Sequence, residues 1–258
     1  MNTYLIDTHS HFDDAWFDDD RSHVLEQAQA NHVMIQIVPA ISAHFWERLH
    51  KICQQYPGLY PAYGLHPMYL TEHRMEHLQA LETWITRENP VAVGECGLDY
   101  FVKNLDRNEQ KKYFLAQLHI AKTANLPLII HARRAVEDVI QCLKQVPNSR
   151  GVVHSYAGSL QQAKQLMDLG YYVSFGGPIT YPNATKLRKL VQDLPLECIL
   201  LETDSPDQPL FSHRGERNEP AYLTEVLETV AHLRQQNVAD VAKITTNNAL
   251  TLFDKISH

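Results

Sequence analysis

The sequence predicts a single (β/α)8 barrel of the TIM type, an α/β fold that spans residues 1–258 as one domain. Apolar, β-rich runs recur eight times and begin roughly 20 to 36 residues apart, about the length of a strand, a helix and their loops. Amphipathic, helix-like segments fill the intervals, and no Pro/Gly/Ser-rich linker divides the chain. Eight such alternations are typical of an α/β barrel. An open, doubly wound sheet is the alternative, and it is less favoured because the first turn, "DTHSHFDD", lacks a glycine-rich phosphate loop.

The eight apolar runs are the predicted strands. In chain order they are "TYLID", "HVMIQIVPA", "LYPAYGLHP", "PVAVGECGLD", "LPLIIHARR", "GVVHSYAG", "YYVSFGGPI" and "CILLETDSP". Several are apolar on both faces, as expected for parallel strands that helices cover outside and packed side chains fill inside. Among the intervals, helix-like spacing of apolar residues is seen at 20–31, 47–56, 104–125 and 219–236.

Composition is that of a folded protein, with 44% apolar and 21% charged residues. The first residues form no basic signal region, and no apolar run approaches the ~18 residues that a membrane span needs. Four cysteines lie far apart without a CxxC pair, which predicts reduced thiols. We therefore expect a cytoplasmic protein with no membrane segment, and no obligate protein partner is evident.

The net charge of −7 argues against binding long nucleic acid through a broad basic surface. Any substrate that contains phosphate must be held locally.

Candidate metal ligands lie where the predicted strands end. The active site of such a barrel lies at the carboxyl ends of its strands, and His9 and His11 share one strand face there because side chains alternate. The other strand ends provide His66, Glu95, His131, His154 and Asp204. One such histidine alone is adequately explained as a buried, hydrogen-bonded residue. A convergent set is costly to bury unless it is paired or bound to metal, so the set predicts a metal centre.

The ligand types indicate which metals to expect. Imidazole mixed with carboxylate favours zinc, manganese, cobalt or nickel, and magnesium remains open if carboxylate and water dominate. The set exceeds the three protein ligands usual for one catalytic zinc. Two divalent metal ions bridged by Glu95 use the set more fully and are suited to activating water against a phosphoryl or carbonyl group.

Seven short motifs resemble one known family along the whole chain. In order they are "DTHSHFD", "GLHP", "GECGLDY", "HARRA", "HSYAGS", "LLETDSP" and "NNALTLF". The chain thereby resembles the TatD-like metal-dependent hydrolases, known as deoxyribonucleases, within the wider amidohydrolase-type barrels. Each motif alone is weak, and their order makes the resemblance specific.

The resemblance implies a role for each matching position. It implies that one metal is bound by His9, His11 and Asp204, the other by His131 and His154, and that Glu95 lies between them. It also implies that His66 and Arg133 lie near the substrate phosphate. Where relatives commonly have Cys-Phe-Ser, this chain has Ser155, Tyr156 and Ala157, which leaves substrate preference open.

Other residues near the strand ends have two interpretations each. Glu202 either orients a ligand or water, or is a buried charge paired with Arg or Lys. Asp99 either orders the loop after Glu95 or is an ordinary turn residue. Asn248 is expected to fasten backbone rather than to touch substrate.

The arginines near the predicted mouth also have two interpretations. Arg133 or Arg134 is expected to hold phosphate through two N–H groups, while the other pairs with a surface acid such as Glu137. The loop 211–220 provides Arg214, Arg217 and Asn218, for which a structural role is slightly favoured over substrate contact.

Together these observations predict a divalent-metal-dependent phosphodiester hydrolase that acts on DNA ends or short nucleotides. Asp204 is expected to accept the proton of a two-metal-activated water and His66 to stabilise or protonate the leaving oxygen. Arg133 would neutralise charge that develops in the transition state, and Tyr156 or Tyr100 would stack on a base. Two alternatives are an amidohydrolase or lactonase with the same metals and a non-catalytic metal-binding protein.

Overall fold

The computed structural model describes residues 4–256 and confirms the predicted (β/α)8 barrel. Eight parallel strands pair in sequence order. They are β1 (Leu5–Asp7), β2 (Val33–Pro39), β3 (Leu59–Tyr63), β4 (Ala92–Asp99), β5 (Leu128–Arg133), β6 (Gly151–Val153), β7 (Tyr171–Phe175) and β8 (Ile199–Leu201). Each strand lies within the apolar run that predicted it.

Helices follow the strands and cover the barrel. They are α1 (Arg21–Ala30), α2 (Trp46–Gln55), α3 (Met75–Glu88), α4 (Arg107–Thr123), α5 (Val136–Gln145), α6 (Leu160–Asp168), α7 (Thr185–Asp193), α8 (Leu223–Arg234) and α9 (Val238–Leu252). The four helical segments expected from the sequence coincide with α1, α2, α4 and α8, of which the last is preceded by a short 3-10 turn at Pro220–Tyr222. Within residues 4–256 we find no helix that combines the length and the apolar character needed to cross a lipid bilayer.

Polar groups close the barrel between β8 and β1. The backbone N–H of Thr8 donates to Leu201 O (3.1 Å), and that of Asp204 donates to His9 O (2.8 Å). The buried carboxylate of Asp7 accepts from the backbone N–H and the hydroxyl of Thr203, at 3.0 and 2.6 Å. Burial raises the pKa of Asp7 to about 8. The ends of the first and last strands are therefore fixed to each other.

A small apolar cluster fills the barrel below the strand ends. It consists of alternate strand residues, among them Ile37, Ile129 and Leu200, together with Leu252 and Phe253 at the end of α9. The Asn248 side chain on α9 donates to Leu196 O and Ile199 O, both at 2.9 Å. The predicted role of Asn248 as a backbone fastener is confirmed, and α9 closes the end of the barrel where β8 begins.

The layer between strands and helices forms the larger core, which includes Phe12, Phe114 and Tyr171. The four cysteines are free thiols, as predicted. With both apolar layers below and around them, the polar side chains at the carboxyl ends of the strands occupy the one face of the barrel described next.

Candidate metal centre

Strand periodicity places two of the predicted ligands, and Glu202, over the barrel interior. His131, His154 and Glu202 each lie two residues beyond an apolar side chain of the inner cluster, respectively Ile129, Val152 and Leu200. Because side chains alternate along a strand, each pair shares a face. The apolar residue fills the barrel and the polar residue lies above it.

Four donor atoms from three strands form the first group. They are Nε2 of His9, Nε2 of His11, Oε2 of Glu95 and Oδ1 of Asp204. His9 Nε2 lies 3.3 Å from His11 Nε2, 3.3 Å from Glu95 Oε2 and 3.4 Å from Asp204 Oδ1. His11 Nε2 lies 3.5 and 3.6 Å from the same two oxygens. Ligands about 2.1 Å from a tetrahedral metal are roughly 3.4 Å from one another, so this spacing suits one ion.

The second group meets the other oxygen of Glu95. Oε1 lies 3.1 Å from His131 Nδ1 and 2.9 Å from His154 Nε2, and these two nitrogens are 3.4 Å apart. Glu95 is 1% exposed and directs one oxygen to each group. This is the geometry of a bridging carboxylate.

The hydrogen bonds outside the groups leave lone pairs facing inward. His11 Nδ1 lies 3.2 Å from Pro39 O, and His131 Nε2 lies 2.9 Å from the Asp99 carboxylate. Since carbonyl and carboxylate oxygens only accept here, those ring nitrogens hold the protons, and His11 Nε2 and His131 Nδ1 present lone pairs toward Glu95. When the rings are neutral, these lone pairs and the carboxylate oxygens repel one another unless a proton or a metal cation lies between them. The donor set therefore fits divalent metal.

His66 differs from the four histidines of the two donor groups. Its Nδ1 accepts the backbone N–H of Met68 at 3.1 Å, which puts its proton on Nε2. Nε2 then donates to Glu95 Oε1 at 3.0 Å. Burial lowers the pKa of His66 to about 4. Although His66, Glu95 and His131 are close enough to hold an ion together, His66 acts in this arrangement as a neutral donor to Glu95.

Asp99 orients His131 and orders the loop behind it. Besides His131, its carboxylate accepts from the backbone N–H groups of Phe101 (2.8 Å) and Val102 (3.0 Å). Burial raises its pKa, but the hydrogen bond from His131 and those from the backbone outweigh burial and lower the pKa to about 2. Of the two interpretations of Asp99, the structure favours the ordering one.

Glu202 has the corresponding position beside His154. Its Oε1 lies 3.7 Å from His154 Nδ1 and accepts the backbone N–H of Ser155 at 2.7 Å, while the Ser174 hydroxyl donates to Oε2. Within residues 4–256, no lysine or arginine forms an ion pair with Glu202. The two hydrogen bonds from Ser155 and Ser174 satisfy its carboxylate, which faces His154 Nδ1 from just beyond hydrogen-bond distance. It also lies close enough to His9 and His154 for the three to hold an ion.

Gln208 is a site residue that sequence reasoning missed. Its side-chain NH2 donates to Asp204 Oδ2, and its Oε1 accepts the Ser155 hydroxyl at 2.9 Å. The Ser155 bond fixes which end of the amide faces Asp204. Gln208 stands four residues after Asp204 in an irregular loop, and a loop without periodicity gives no signal of which side chain turns back.

The loops at the mouth differ from the sequence-based expectation in the partner of Glu137, and the loop 211–220 has mainly structural contacts. Within residues 4–256, neither Arg133 nor Arg134 forms an ion pair, so the expected pairing of one with Glu137 is wrong. Glu137 instead accepts from the side-chain amides of Gln141 (3.0 Å) and Gln162 (3.4 Å). In the loop 211–220, Arg217 bonds the carboxylates of Asp20 and Glu219, and buried Asn218 bonds backbone carbonyls. A structural role for that loop is the better interpretation.

The expected aromatic contact with a base is not supported for either tyrosine. Tyr156 is 1% exposed, and its hydroxyl donates to Ser159 O at 2.6 Å. Tyr100 donates to Asp138 at 2.6 Å and lies under the Arg107 guanidinium.

The metal-ligand candidates other than the fully buried His9 line a cavity of about 1390 Å³. Its walls come from strand ends and the loops that follow them, including Tyr69 after β3, Arg133 at the end of β5, Arg134 just after it, and Asp207 after β8. A cavity of this size accepts a substrate of a few nucleotides or a comparable small molecule.

Known proteins resemble this chain over its whole length. The family described as TatD related DNase matches residues 6–254. The metal-dependent hydrolase YjjV of Escherichia coli K12 is 40% identical over 253 residues, which cover 97% of this chain and 98% of the relative. YabD of Bacillus subtilis, also described as a metal-dependent hydrolase, is 37% identical over 251 residues, 96% and 98% of the two chains.

Solved structures agree with the sequence comparison. The crystal structure of YjjV, a TatD homolog from E. coli K12, has a TM-score of 0.94 at 38% identity and covers 99% of this chain and 100% of its own. A TatD family hydrolase from Entamoeba histolytica has a TM-score of 0.87 at 19% identity, covers 98% and 99% of the two chains, and supports the fold alone. The similarity thus extends over every strand and strand end.

Proposed function

This chain belongs to the TatD-related DNase family, and from that premise we propose that it is a divalent-metal-dependent phosphodiester hydrolase acting on DNA ends or short nucleotides. The metal-dependent hydrolase class follows from the family and its relatives. The observation that most supports a two-metal centre is Glu95, whose two oxygens each meet a separate set of imidazole nitrogens.

The residues of the two groups would hold one cation each. His9, His11 and Asp204 would hold the first, His131 and His154 the second, and Glu95 both. Divalent cations bound there supply Lewis acidity toward a phosphoryl oxygen and make water acidic near neutral pH. Zinc and manganese suit the mixed nitrogen and oxygen donors, and magnesium is the further candidate.

Asp204 is the proposed general base. Its Oδ2 accepts from Gln208, which leaves Oδ1 facing the nitrogens of His9 and His11. A carboxylate fixed by one oxygen presents the other in a single orientation. At Oδ1, Asp204 would take up the proton of the attacking water.

His66 and Arg133 would stabilise the negative charge that develops on the substrate. The single Nε2 proton of His66, which donates to Glu95 in the structure, would be donated instead to a substrate oxygen that enters the centre. The Arg133 guanidinium lines the cavity without an ion-pair partner in the described part of the chain. Its planar N–H groups match the geometry of phosphate oxygens.

A substrate screen tests the proposal. Protein loaded separately with manganese, zinc and magnesium is assayed on single-stranded DNA, double-stranded DNA, dinucleotides, amides and lactones. We expect hydrolysis of phosphodiesters with release of mononucleotides, and a loss of kcat in Asp204→Asn of at least about 100-fold. Turnover of an amide or lactone without any phosphodiester hydrolysis would exclude the proposed substrate class.

A further inference from the structure

Two guanidinium groups share one aromatic side chain at the cavity mouth. The guanidinium carbon of Arg133 lies 3.7 Å from the centroid of the Phe101 ring, and that of Arg134 lies 4.7 Å from it. Phe101 is 45% exposed, and all three side chains line the cavity. A ring holds a cation without using its N–H groups, so both arginines keep their donors free for a ligand.

Arg48, the other arginine that lines the cavity, uses its N–H groups within the protein. Arg48 donates to the Asp18 carboxylate and to Asp13 O, so its N–H groups are engaged within the protein. Among residues 4–256, no carboxylate makes an ion pair with Arg133 or Arg134, and no hydrogen bond from either guanidinium is found.

The acids nearest in sequence to the arginine pair are already engaged. Glu137 accepts from Gln141 and Gln162, and Asp138 accepts from Lys111 and Tyr100. Glu137 keeps its charge and lines the same cavity, but neither acid forms an ion pair with Arg133 or Arg134 among the described residues, and two positive charges face one negative charge at this edge. The positive charge at this edge is left for something outside the chain.

Phe101, which holds the two arginines, is connected to the candidate metal centre through one carboxylate. Asp99 accepts the backbone N–H of Phe101 through Oδ1 and the ring N–H of His131 through Oδ2. Arg134 itself has a left-handed backbone (φ 55°), which an L-residue adopts at a cost. The position of the pair relative to the ligands is thus fixed by hydrogen bonds and by a specific turn.

The opposite side of the cavity has the opposite charge. Asp13 and Asp14 line it after β1, and Asp207 lines it after β8. A polyanion that reaches the metal centre is therefore repelled from that side and attracted toward the loop after β5.

We infer that Arg134 and Phe101, next to Arg133, form a second phosphate subsite, so that the substrate has a phosphoryl group adjacent to the one that is cleaved. The two guanidinium carbons lie 3.7 and 4.7 Å from the same ring centroid, so both cations face one short stretch of the cavity and can each contact a separate phosphoryl group of one bound nucleotide chain. The inference rests on the proposed function and names the kind of nucleotide that the site selects.

The test compares dinucleotides that differ only in a terminal phosphate. For the metal-loaded wild-type protein, kcat/KM is measured on an unphosphorylated dinucleotide and on its 5′- and 3′-phosphorylated forms. We expect one phosphorylated form to be preferred by roughly three- to tenfold, as for an exposed, charge-assisted contact. The preference should disappear in Arg134→Gln and return in part in Arg134→Lys. The kcat/KM of an unphosphorylated trinucleotide is measured as well. If it exceeds that of the unphosphorylated dinucleotide, the second subsite accepts the next phosphodiester as well as a terminal phosphate.

A matched control and a binding measurement complete the test. Arg214 is exposed and outside the cavity lining, so Arg214→Gln should keep the wild-type ratio. By calorimetry, adenosine 3′,5′-bisphosphate should bind the metal-loaded protein more tightly than adenosine monophosphate, and only Arg134→Gln should remove the difference.

The two proposals fail in different ways. If no dinucleotide is hydrolysed, the proposed function fails, and the bisphosphate measurement still decides the subsite. A preference that persists in Arg134→Gln, or no preference in the wild-type protein in either measurement, would overturn the subsite.

Discussion

Glu95 is the residue on which both donor groups depend, because each of its oxygens belongs to a different group. We expect Glu95→Gln to keep the side-chain shape but to replace one oxygen by an NH2 group that cannot bind a cation. Metal content should fall from two ions per chain to one or fewer, and turnover should fall by at least about 100-fold. Elemental analysis and a rate assay check this, and wild-type values for both would contradict the bridging role.

Gln208 controls which oxygen of Asp204 faces the histidines. Gln208→Met preserves length and approximate volume but removes the donor to Oδ2, so the carboxylate becomes free to rotate. Loss of a group that orients a ligand typically lowers metal affinity about 10- to 100-fold. We expect roughly tenfold weaker manganese binding, measured by calorimetry on metal-stripped protein, with little change in Tm.

Ser155 provides an internal control, since its hydroxyl contacts the amide of Gln208. Ser155→Ala should weaken manganese binding by a smaller factor in the wild-type protein and should have no effect in the Gln208→Met background. Additive losses in the double variant would mean that the two residues act separately.

Some of this chemistry was predictable from the sequence at the residue scale, and some was not. The ligand types at the strand ends are visible because strands fix where side chains at i and i+2 point. The proton positions on His66 and His131 are not visible, because they depend on partners from Met68 and Asp99 that only the folded loops bring near. That Arg134 has no ion-pair partner among the described residues was likewise not predictable, because it depends on the side-chain orientation of Glu137 in the folded protein.

The loop after β8 is an element held by one buried side chain. The Asn218 amide donates to Thr203 O (2.8 Å), Asp207 O (2.8 Å) and Gln208 O (3.2 Å). These carbonyls flank Asp204 on both sides. Asn248 makes the equivalent contacts at the other end of β8, where it is remote from the metal centre.

Asn218→Ala and Asn248→Ala therefore form a matched pair. Each removes buried hydrogen bonds and should lower the free energy of unfolding by roughly 1–3 kcal/mol. Only Asn218→Ala should also weaken metal binding, because only that loop positions Asp204. Thermal melts and manganese titrations of both variants check this. Equal metal affinity in the two variants would show that the hydrogen bonds of Asn218 are not needed to position Asp204 for metal binding.

At the element scale, the apolar pattern predicts that a strand exists but not where it ends. The runs that predicted β6 and β8 extend over eight and nine residues, yet the strands are Gly151–Val153 and Ile199–Leu201. Past these ends the backbone turns, with left-handed residues at Ser155 (φ 44°) and Asp204 (φ 59°). Apolar character indicates that a strand exists, whereas its end is set by the turn that directs a polar side chain into the mouth.

At the scale of the whole molecule, net charge and cavity charge have opposite consequences. The chain has a net charge of −7, and the acids of the β1 and β8 loops line one side of the cavity. Among the described residues of the cavity lining, the arginines without an ion-pair partner are Arg133, at the end of β5, and Arg134 after it. With this distribution of charge, we expect a long nucleic acid to be attracted mainly at the end that reaches the cavity.

We therefore expect binding that depends little on strand length and only moderately on salt. Each phosphate held by the protein contributes about −0.7 to the slope of log K against log salt for a single strand. With only the metals, Arg133 and Arg134 available, the slope should correspond to roughly one to three phosphates, well below the six to ten of an extended duplex binder. The measurement titrates metal-loaded, inactive Asp204→Asn with oligonucleotides of two to twenty residues at several salt concentrations, after metal content has been verified. If affinity rose steadily with length and the slope were steep, phosphates would have to be held outside the cavity, on a surface that the acidic composition and the positions of the paired arginines Arg48 and Arg217 do not provide.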